Sequence, residues 1–273
     1  MTTNTNSAPP SQGEDLGGVT VEKRGGIFLI GLDRPTKRNA LSPKIFRDIA
    51  EAYRKYEADD TLRCAVLYGH GAAFSAGADL TLLKDASDRG ELEYTDEEYD
   101  PFQLSGKTLS KPVVSAVHGM CFAGGMELAL AGDIILAAEG TVLGQPETTR
   151  GLFAFGGGVV RWPQRVGWGN AQRYLLTGEL LSASEALRIG LIQEVVPPEK
   201  LTERAVEIAT MIAAAAPQGV RATLAVGRKA FYDNPRDAIE DLLERRPVIL
   251  QTEDAAEGVV SFIERRAGNY TGS

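Results

Sequence analysis

The sequence predicts an α/β body followed by a helical C-terminal region. Three observations carry this. Apolar runs of strand length recur at residues 64–68, 112–117 and 133–138, with small-residue loops and helical spacing after the first two. Two short strands joined by a tight turn open the body at residues 19–31. From residue 201 onward only helical spacing is present.

Each element has a local reason. Arg24-Gly25-Gly26 supplies the turn between the first two strands. After the loop 33–41, Ser42 can cap a helix whose first residue is Pro43, and Ile45, Ile49, Tyr53 and Tyr56 give it one apolar face. The run at 64–68 reads as a buried strand, followed by a small-residue loop and a helix from Asp79. Residues 112–117 repeat that design, with a helix through 127–131, and 133–138 form a third such strand. Residues 84–105 are acidic and irregular, as expected of a solvated loop or of a lid over a pocket. Helices are expected at 201–216, 221–232, 235–251 and 254–266. Residues 19–200 thus form the expected core, and 201–273 the helical region. Residues 1–18, rich in Thr, Asn, Ser, Pro and Gly, are expected to be a disordered tail, since that composition cannot offset the entropy of ordering. The tail lacks the basic-then-apolar pattern of a secretory signal.

Composition narrows the function classes. A 273-residue chain with 43% hydrophobic residues can bury a large core without disulfides. Cys64 and Cys121 lie in apolar surroundings without metal-ligand spacing, so they read as free thiols in a reducing compartment, and the expected setting is cytoplasmic. No apolar run approaches the roughly 20 residues of a membrane span. The formal net charge of −8 disfavours generic nucleic-acid binding. His118 and His70 are the only histidines, and no His/Cys/Asp group has zinc spacing. Without a Gly-x-Ser-x-Gly elbow, a serine hydrolase is not indicated. Trp162 and Trp168 read as packing or interface residues.

Two segments share a design that can bind negative charge. Gly69 to Leu80 and His118 to Leu128 each leave a buried strand, turn through small residues and enter a helix. The first N–H groups of a helix lack internal acceptors and carry partial positive charge. Two such groups aimed at one point make an oxyanion hole, where each donor contributes about 3–4 kcal/mol to a developing charge. Neither segment matches a phosphate-binding P-loop, and Gly156-Gly157-Gly158 does not make a dinucleotide fingerprint.

Several linked motifs follow one another along the chain. They are Leu32-Asp33-Arg34-Pro35 with Asn39-Ala40-Leu41-Ser42, then Ala73-Phe74-Ser75-Ala76-Gly77-Ala78-Asp79-Leu80. Lys111-Pro112, Val117-His118-Gly119 and Ala123-Gly124-Gly125-Met126-Glu127-Leu128 follow, then Gly144-Gln145-Pro146-Glu147, Thr177-Gly178 and a closing Thr252-Glu253-Asp254. Together they resemble the enoyl-CoA hydratase/isomerase (crotonase) family. The resemblance implies a spiral core of ββα units and a C-terminal helical region that assembles trimers. It implies an acyl-CoA substrate, a homotrimer or a hexamer made as a dimer of trimers, and no metal or other cofactor, CoA being part of the substrate. It also implies that the backbone N–H groups of Ala78 and Gly124 form the oxyanion hole, with Glu127 and Glu147 as catalytic carboxyls. CoA is expected along Lys37, Arg38, Ala40, Ala76, Asp79 and Leu80, with Phe262 and Arg265 of the closing helix at its adenine end, often from a neighbouring subunit. Taken from the residues alone, Asp79 reads as a helix cap.

The expected reaction is addition or removal of water across the α,β double bond of an acyl-CoA thioester. Hydroxide character goes to Cβ, a proton to Cα, and enolate charge to the thioester oxygen. The oxyanion amides hold that charge while the two glutamates manage the water and the proton. A Δ3,Δ2-enoyl-CoA isomerase, which needs one glutamate, is the alternative; a non-catalytic CoA- or RNA-binding protein on the same scaffold is a more distant one. After Glu147 the chain departs from the hydratase pattern: Ala154-Phe155 stands where a Pro-Gly is usual. The matching glycine helps hold the catalytic water through its N–H, which Phe155 retains, while its ring is expected to narrow or reshape the acyl pocket.

Overall fold

The computed structural model describes residues 15–90 and 93–273. The chain opens with β1 (Gly18–Arg24), β2 (Ile27–Asp33), α1 (Pro43–Ala58), β3 (Cys64–Gly69) and α2 (Leu80–Asp88). It continues with β4 (Val113–Val117), β5 (Met120–Phe122), α3 (Gly124–Leu130), β6 (Ile134–Ala138) and β7 (Val142–Gly144). Then come α4 (Gly158–Val166), α5 (Trp168–Thr177), β8 (Leu181–Ser182), α6 (Ala183–Arg188) and β9 (Glu194–Val196). The helices α7 (Leu201–Ala213), α8 (Pro217–Tyr232), α9 (Pro235–Leu250) and α10 (Glu253–Glu264) close it.

The main sheet has the order β1-β2-β3-β4-β6-β9. Only the β1–β2 pair is antiparallel; every later neighbour is parallel. From β2 to β6 both faces are covered, which is why these strands read as continuous apolar runs. Side chains alternate between two cores. Phe28, Ile30, Leu32, Ala65, Leu67, Val113, Val117, Ile135 and Ala137 face one. Ile27, Leu29, Cys64, Val66, Val114, Ala116, Leu136 and Ala138 face the other, where Leu201, Ala205 and Ala209 of α7 cover them. A second, small sheet, β5-β7-β8, stands on the path from β4 to the later helices.

One expectation is corrected at the N-terminus. Residues 1–14 lie outside the described residues, but 15–18, assigned to the disordered tail, are tied to the body. The Asp15 carbonyl accepts from Arg34 Nε at 2.6 Å, the Leu16 carbonyl accepts from Ser42 Oγ at 2.5 Å, and Gly18 starts β1. Buried Arg34 and Ser42 need acceptors there, and the tail's backbone supplies them. The small strands β5, β7, β8 and β9 and the helices α4 to α6 are absent from the sequence reading. Trp162 is fully buried against Tyr174, with ring centroids 5.8 Å apart, whereas Trp168 faces outward.

Candidate active site

Two loops leave neighbouring parallel strands, β3 and β4, and run side by side. The Ser75 N–H donates to Met120 O at 3.0 Å and the Phe122 N–H donates to Ser75 O at 3.1 Å. Just beyond that ladder lie Ala78, three residues past Ser75, and Gly124, two residues past Phe122. A Cβ added to Gly124 would sit 3.5 Å from the Ala78 nitrogen, so the two backbones nearly touch. Gly77 permits this approach: its φ is +98°, and a Cβ there would lie 2.9 Å from the Ala123 Cβ. On the opposite side the Gly77 carbonyl accepts from the Leu41 N–H, and the Asp79 N–H donates to Leu41 O. Those bonds leave the Ala78 amide facing away from Leu41. Among the described residues neither the Ala78 nor the Gly124 N–H is hydrogen-bonded.

The Gly124 amide is aimed by a strained residue. Ala123 has φ 50° and ψ −126°, a conformation that costs a residue with a Cβ about 1–3 kcal/mol. Its N–H donates to Gly144 O at 2.9 Å. Buried Gln145, with its amide nitrogen turned toward the available carbonyls, donates to Ala123 O at 2.9 Å and to Gly144 O at 3.2 Å. The peptide that presents Gly124 is thus clamped at both ends of Ala123.

Glu127 lies on α3 and is 3% exposed. Its Oε1 accepts the Gly158 N–H at 2.9 Å, the first helical amide of α4. Burial pushes this carboxyl up to about 7 and nearby Glu147 adds to the rise, while the Gly158 and Gly156 amides and the Arg161 charge oppose it. Glu147 sits in the 3-10 turn Pro146–Arg150; burial raises its carboxyl above the ordinary range, and its Oε2 has no hydrogen-bond partner.

Both carboxyls and both loops line one cavity of about 750 Å3, whose apolar wall includes Phe46, Leu83, Phe102, Leu104 and Leu152. A larger groove of about 1070 Å3 runs between α8 and the residues that lead into β4, β6 and β9. Its charged groups are already engaged, Asp133 with Arg228 at 2.8 Å and Arg165 with the Gly132 carbonyl at 2.7 Å, so the smaller cavity holds the available chemistry.

The comparisons with known proteins agree with this geometry. The family model described as Enoyl-CoA hydratase/isomerase matches residues 22–273. The chain belongs to the enoyl-CoA hydratase/isomerase family. This family member is 34% identical over 255 residues to enoyl-CoA hydratase EchA19 of Mycobacterium tuberculosis, a match covering 92% of this chain and 95% of that protein. To the carnitinyl-CoA dehydratase of Proteus mirabilis it is 35% identical over 261 residues, 91% of this chain and 96% of that one. A crystal structure from Mycobacterium abscessus, described as a probable enoyl-CoA hydratase/isomerase, superposes with a TM-score of 0.89 at 40% identity, covering 93% and 98% of the two chains. The crotonase fold and an enzymatic role follow from this membership.

The expected site residues of this crotonase-family enzyme divide into four groups. Ala78, Gly124, Glu127 and Glu147 share the cavity, and Ala76 and Leu80 line it too. Lys37 and Arg38 are exposed on a neighbouring turn, and the Ala40 carbonyl accepts from Arg34 at 3.1 Å. Asp79 does not line the cavity: its carboxylate meets Arg34 at 2.8 Å, accepts the Thr81 hydroxyl at 2.7 Å and caps the start of α2 by accepting the Leu82 N–H. Phe262, 83% exposed on α10, and Arg265 just beyond it stand apart from the cavity within one chain. Phe155 corrects one expectation. Its N–H, expected to be free for water, donates to Phe153 O at 2.9 Å, and its ring sits at the cavity edge, 59% exposed. The acidic segment, expected to be irregular, is partly helical, since residues 84–88 belong to α2; Tyr94, Asp100, Phe102, Leu104 and Ser105 line the cavity while residues 95–98 are exposed to solvent, and residues 91–92 lie outside the described residues.

Sequence reading missed Arg34, Gln145 and Arg161. None of the three carries a local signal, since an isolated arginine or glutamine reads as a surface residue.

Proposed function

We propose that this enzyme adds water to, or removes it from, the α,β double bond of an acyl-CoA thioester. The supporting observation is that two carboxyls raised by burial, Glu127 and Glu147, share a cavity with two unbonded amides, Ala78 and Gly124. The thioester oxygen accepts both amides, which strengthen as enolate charge develops. Glu127, anchored through Oε1 by Gly158, holds the water. Glu147, whose Oε2 has no protein partner, moves the proton at the α-carbon. One relative is a hydratase and another a dehydratase, the two directions of this reaction.

One observation favours Δ3,Δ2 isomerisation instead: the Phe155 amide, spent on Phe153, is not a third water-holding group. The two readings separate by mass. Purified protein is incubated with 2-enoyl-, 3-enoyl- and 3-hydroxyacyl-CoAs and the products weighed. Gain or loss of one water supports the proposal, and an isobaric change alone overturns it. Glu127→Gln should abolish hydration, whereas an isomerase would tolerate it.

The same reading includes assembly as a homotrimer or a dimer of trimers. Ile239, Leu243, Val248 and Leu250 of α9 and Val259, Phe262 and Ile263 of α10 are exposed, an apolar surface suited to a second copy. Light scattering on the eluting protein tests it; a monomer at working concentration overturns it.

A further inference from the structure

Arg161 is placed where local physics disfavours a cation. It lies in the first turn of α4, near the positive end of the helix dipole, and is 5% exposed. Among the described residues it forms no ion pair, and its Nε has no hydrogen-bond partner. Its charge is met by two carbonyls: Nη1 donates to Gly156 O at 3.2 Å and Nη2 to Phe102 O at 2.6 Å. Leaving a guanidinium in such a setting costs free energy unless something else is gained from it.

The two carbonyls belong to the two segments that enclose Glu127. Gly156 opens the glycine turn whose amides reach the Glu127 carboxylate. Phe102 belongs to the cavity wall, where Asp100 accepts the N–H groups of Phe102, Leu104 and Ser105 at 2.8, 2.9 and 3.3 Å. These segments are packed to the limit of contact. A Cβ on Gly156 would lie 2.6 Å from Glu127 Oε2 and 3.0 Å from Phe102 Cε2, and one on Gly157 would lie 2.3 Å from Arg161 Nη1.

We propose that Arg161 is a positioning residue for Glu127, fastening the glycine turn to the cavity wall and placing a fixed positive charge beside the carboxylate. Glu127 is faced by Glu147 from the Pro146–Arg150 turn, by the Gly156 and Gly158 amides, and by Arg161 from α4; Asp100 and Glu93 line the same cavity. Among the described residues, Arg161 is the cation whose charge lowers the Glu127 carboxyl from within the packed turn, while Arg150 and Tyr94 also line the cavity. With the stronger Gly158 and Gly156 amides, which its own hydrogen bond to Gly156 helps to hold, it opposes burial and the Glu147 charge.

The proposal rests on the reading of Glu127 as a working carboxyl, and the test separates the two. Full-length protein is labelled with δ-13C-glutamate and titrated by NMR. The Glu127 signal is assigned as the one missing from Glu127→Gln. Arg161→Met should raise the Glu127 midpoint by about one pH unit or more, and Arg161→Lys, which keeps the charge, should restore most of it. With a 2-enoyl-CoA that the wild type hydrates, the acidic limb of kcat should move by the same amount while KM changes little. A midpoint in folded Arg161→Met, or in Arg161→Gln if that variant folds better, that matches wild type overturns the proposal. A shifted midpoint in a protein that hydrates no enoyl-CoA would leave the role of Arg161 standing and defeat the functional reading instead.

Discussion

The Arg34 guanidinium meets the Asp79 carboxylate at 2.8 Å, one residue beyond the Ala78 amide. Arg34 is 1% exposed, and it also donates to the Asp15 and Ala40 carbonyls. Burial raises the Asp79 carboxyl, but the hydrogen bonds from Arg34 and Thr81 outweigh burial and leave it below the ordinary range. Arg34→Met should therefore strand a partly buried carboxylate and cost about 3 kcal/mol in urea unfolding. Because Asp79 anchors the loop that presents Ala78, kcat should fall as well, by up to roughly a hundredfold if the amide is lost to the oxyanion. Arg34→Met combined with Asp79→Asn should recover part of the stability but not the rate. Full activity in the single variant would show that the pair does not hold the amide.

Glu127 makes stability depend on pH in an unusual direction. Burial pushes its folded carboxyl up to about 7, above the ordinary value of 4.5. Between those values the folded protein holds a proton that the unfolded chain has released, so this group's contribution falls as pH rises through that window. Glu127→Gln removes the effect. The variant should match wild type near pH 4 and exceed it by up to about 3 kcal/mol near pH 8. Denaturant midpoints at the two pH values check this; a difference that does not change with pH would contradict the raised carboxyl.

The strands β2, β3, β4 and β6 were legible because each alternates between two covered faces and so reads as an unbroken apolar run. Helix α1 was legible too: Ser42 Oγ accepts the Ile45 N–H at 3.2 Å, as a cap should. The strands β5, β7 and β9 span three residues each, too few for any period to show. The closeness of Ala78 and Gly124 was legible only through family resemblance, since no local pattern reports that two loops meet. Arg34 and Arg161 were hidden for another reason. An isolated arginine reads as a surface cation, and only the fold reveals that carbonyls surround it. Phe155 was legible as a departure from the family pattern, but not the turn that spends its amide on Phe153.

Gly156 separates carboxyl placement from binding. A methyl group there would lie 2.6 Å from Glu127 Oε2 and 2.9 Å from its Cδ, so Gly156→Ala must displace the carboxylate, the turn or Phe102. A shift on the order of 1 Å at a catalytic group costs roughly a hundredfold in rate. The expected result is a kcat lower by about that factor with KM nearly unchanged, measured by loss of enoyl absorbance. An equal change in both parameters would point to a reshaped cavity instead.

The strain at Ala123 offers a stability gain at the expense of rate. At φ 50° and ψ −126° its Cβ is crowded by its own backbone, whereas glycine adopts that conformation freely. Ala123→Gly should stabilise the fold by about 1 kcal/mol, the relief of strain exceeding the added entropy of the unfolded chain. The Cβ also limits where the Gly124 amide can point. Without it, the Gly144 and Gln145 hydrogen bonds alone would aim that donor. A looser donor stabilises an enolate less, so kcat should drop by roughly tenfold while substrate affinity holds. Both readouts are needed together: a gain in stability with unchanged kcat would mean that Gln145 and Gly144 suffice to aim the amide, and that the strain at Ala123 serves no catalytic purpose.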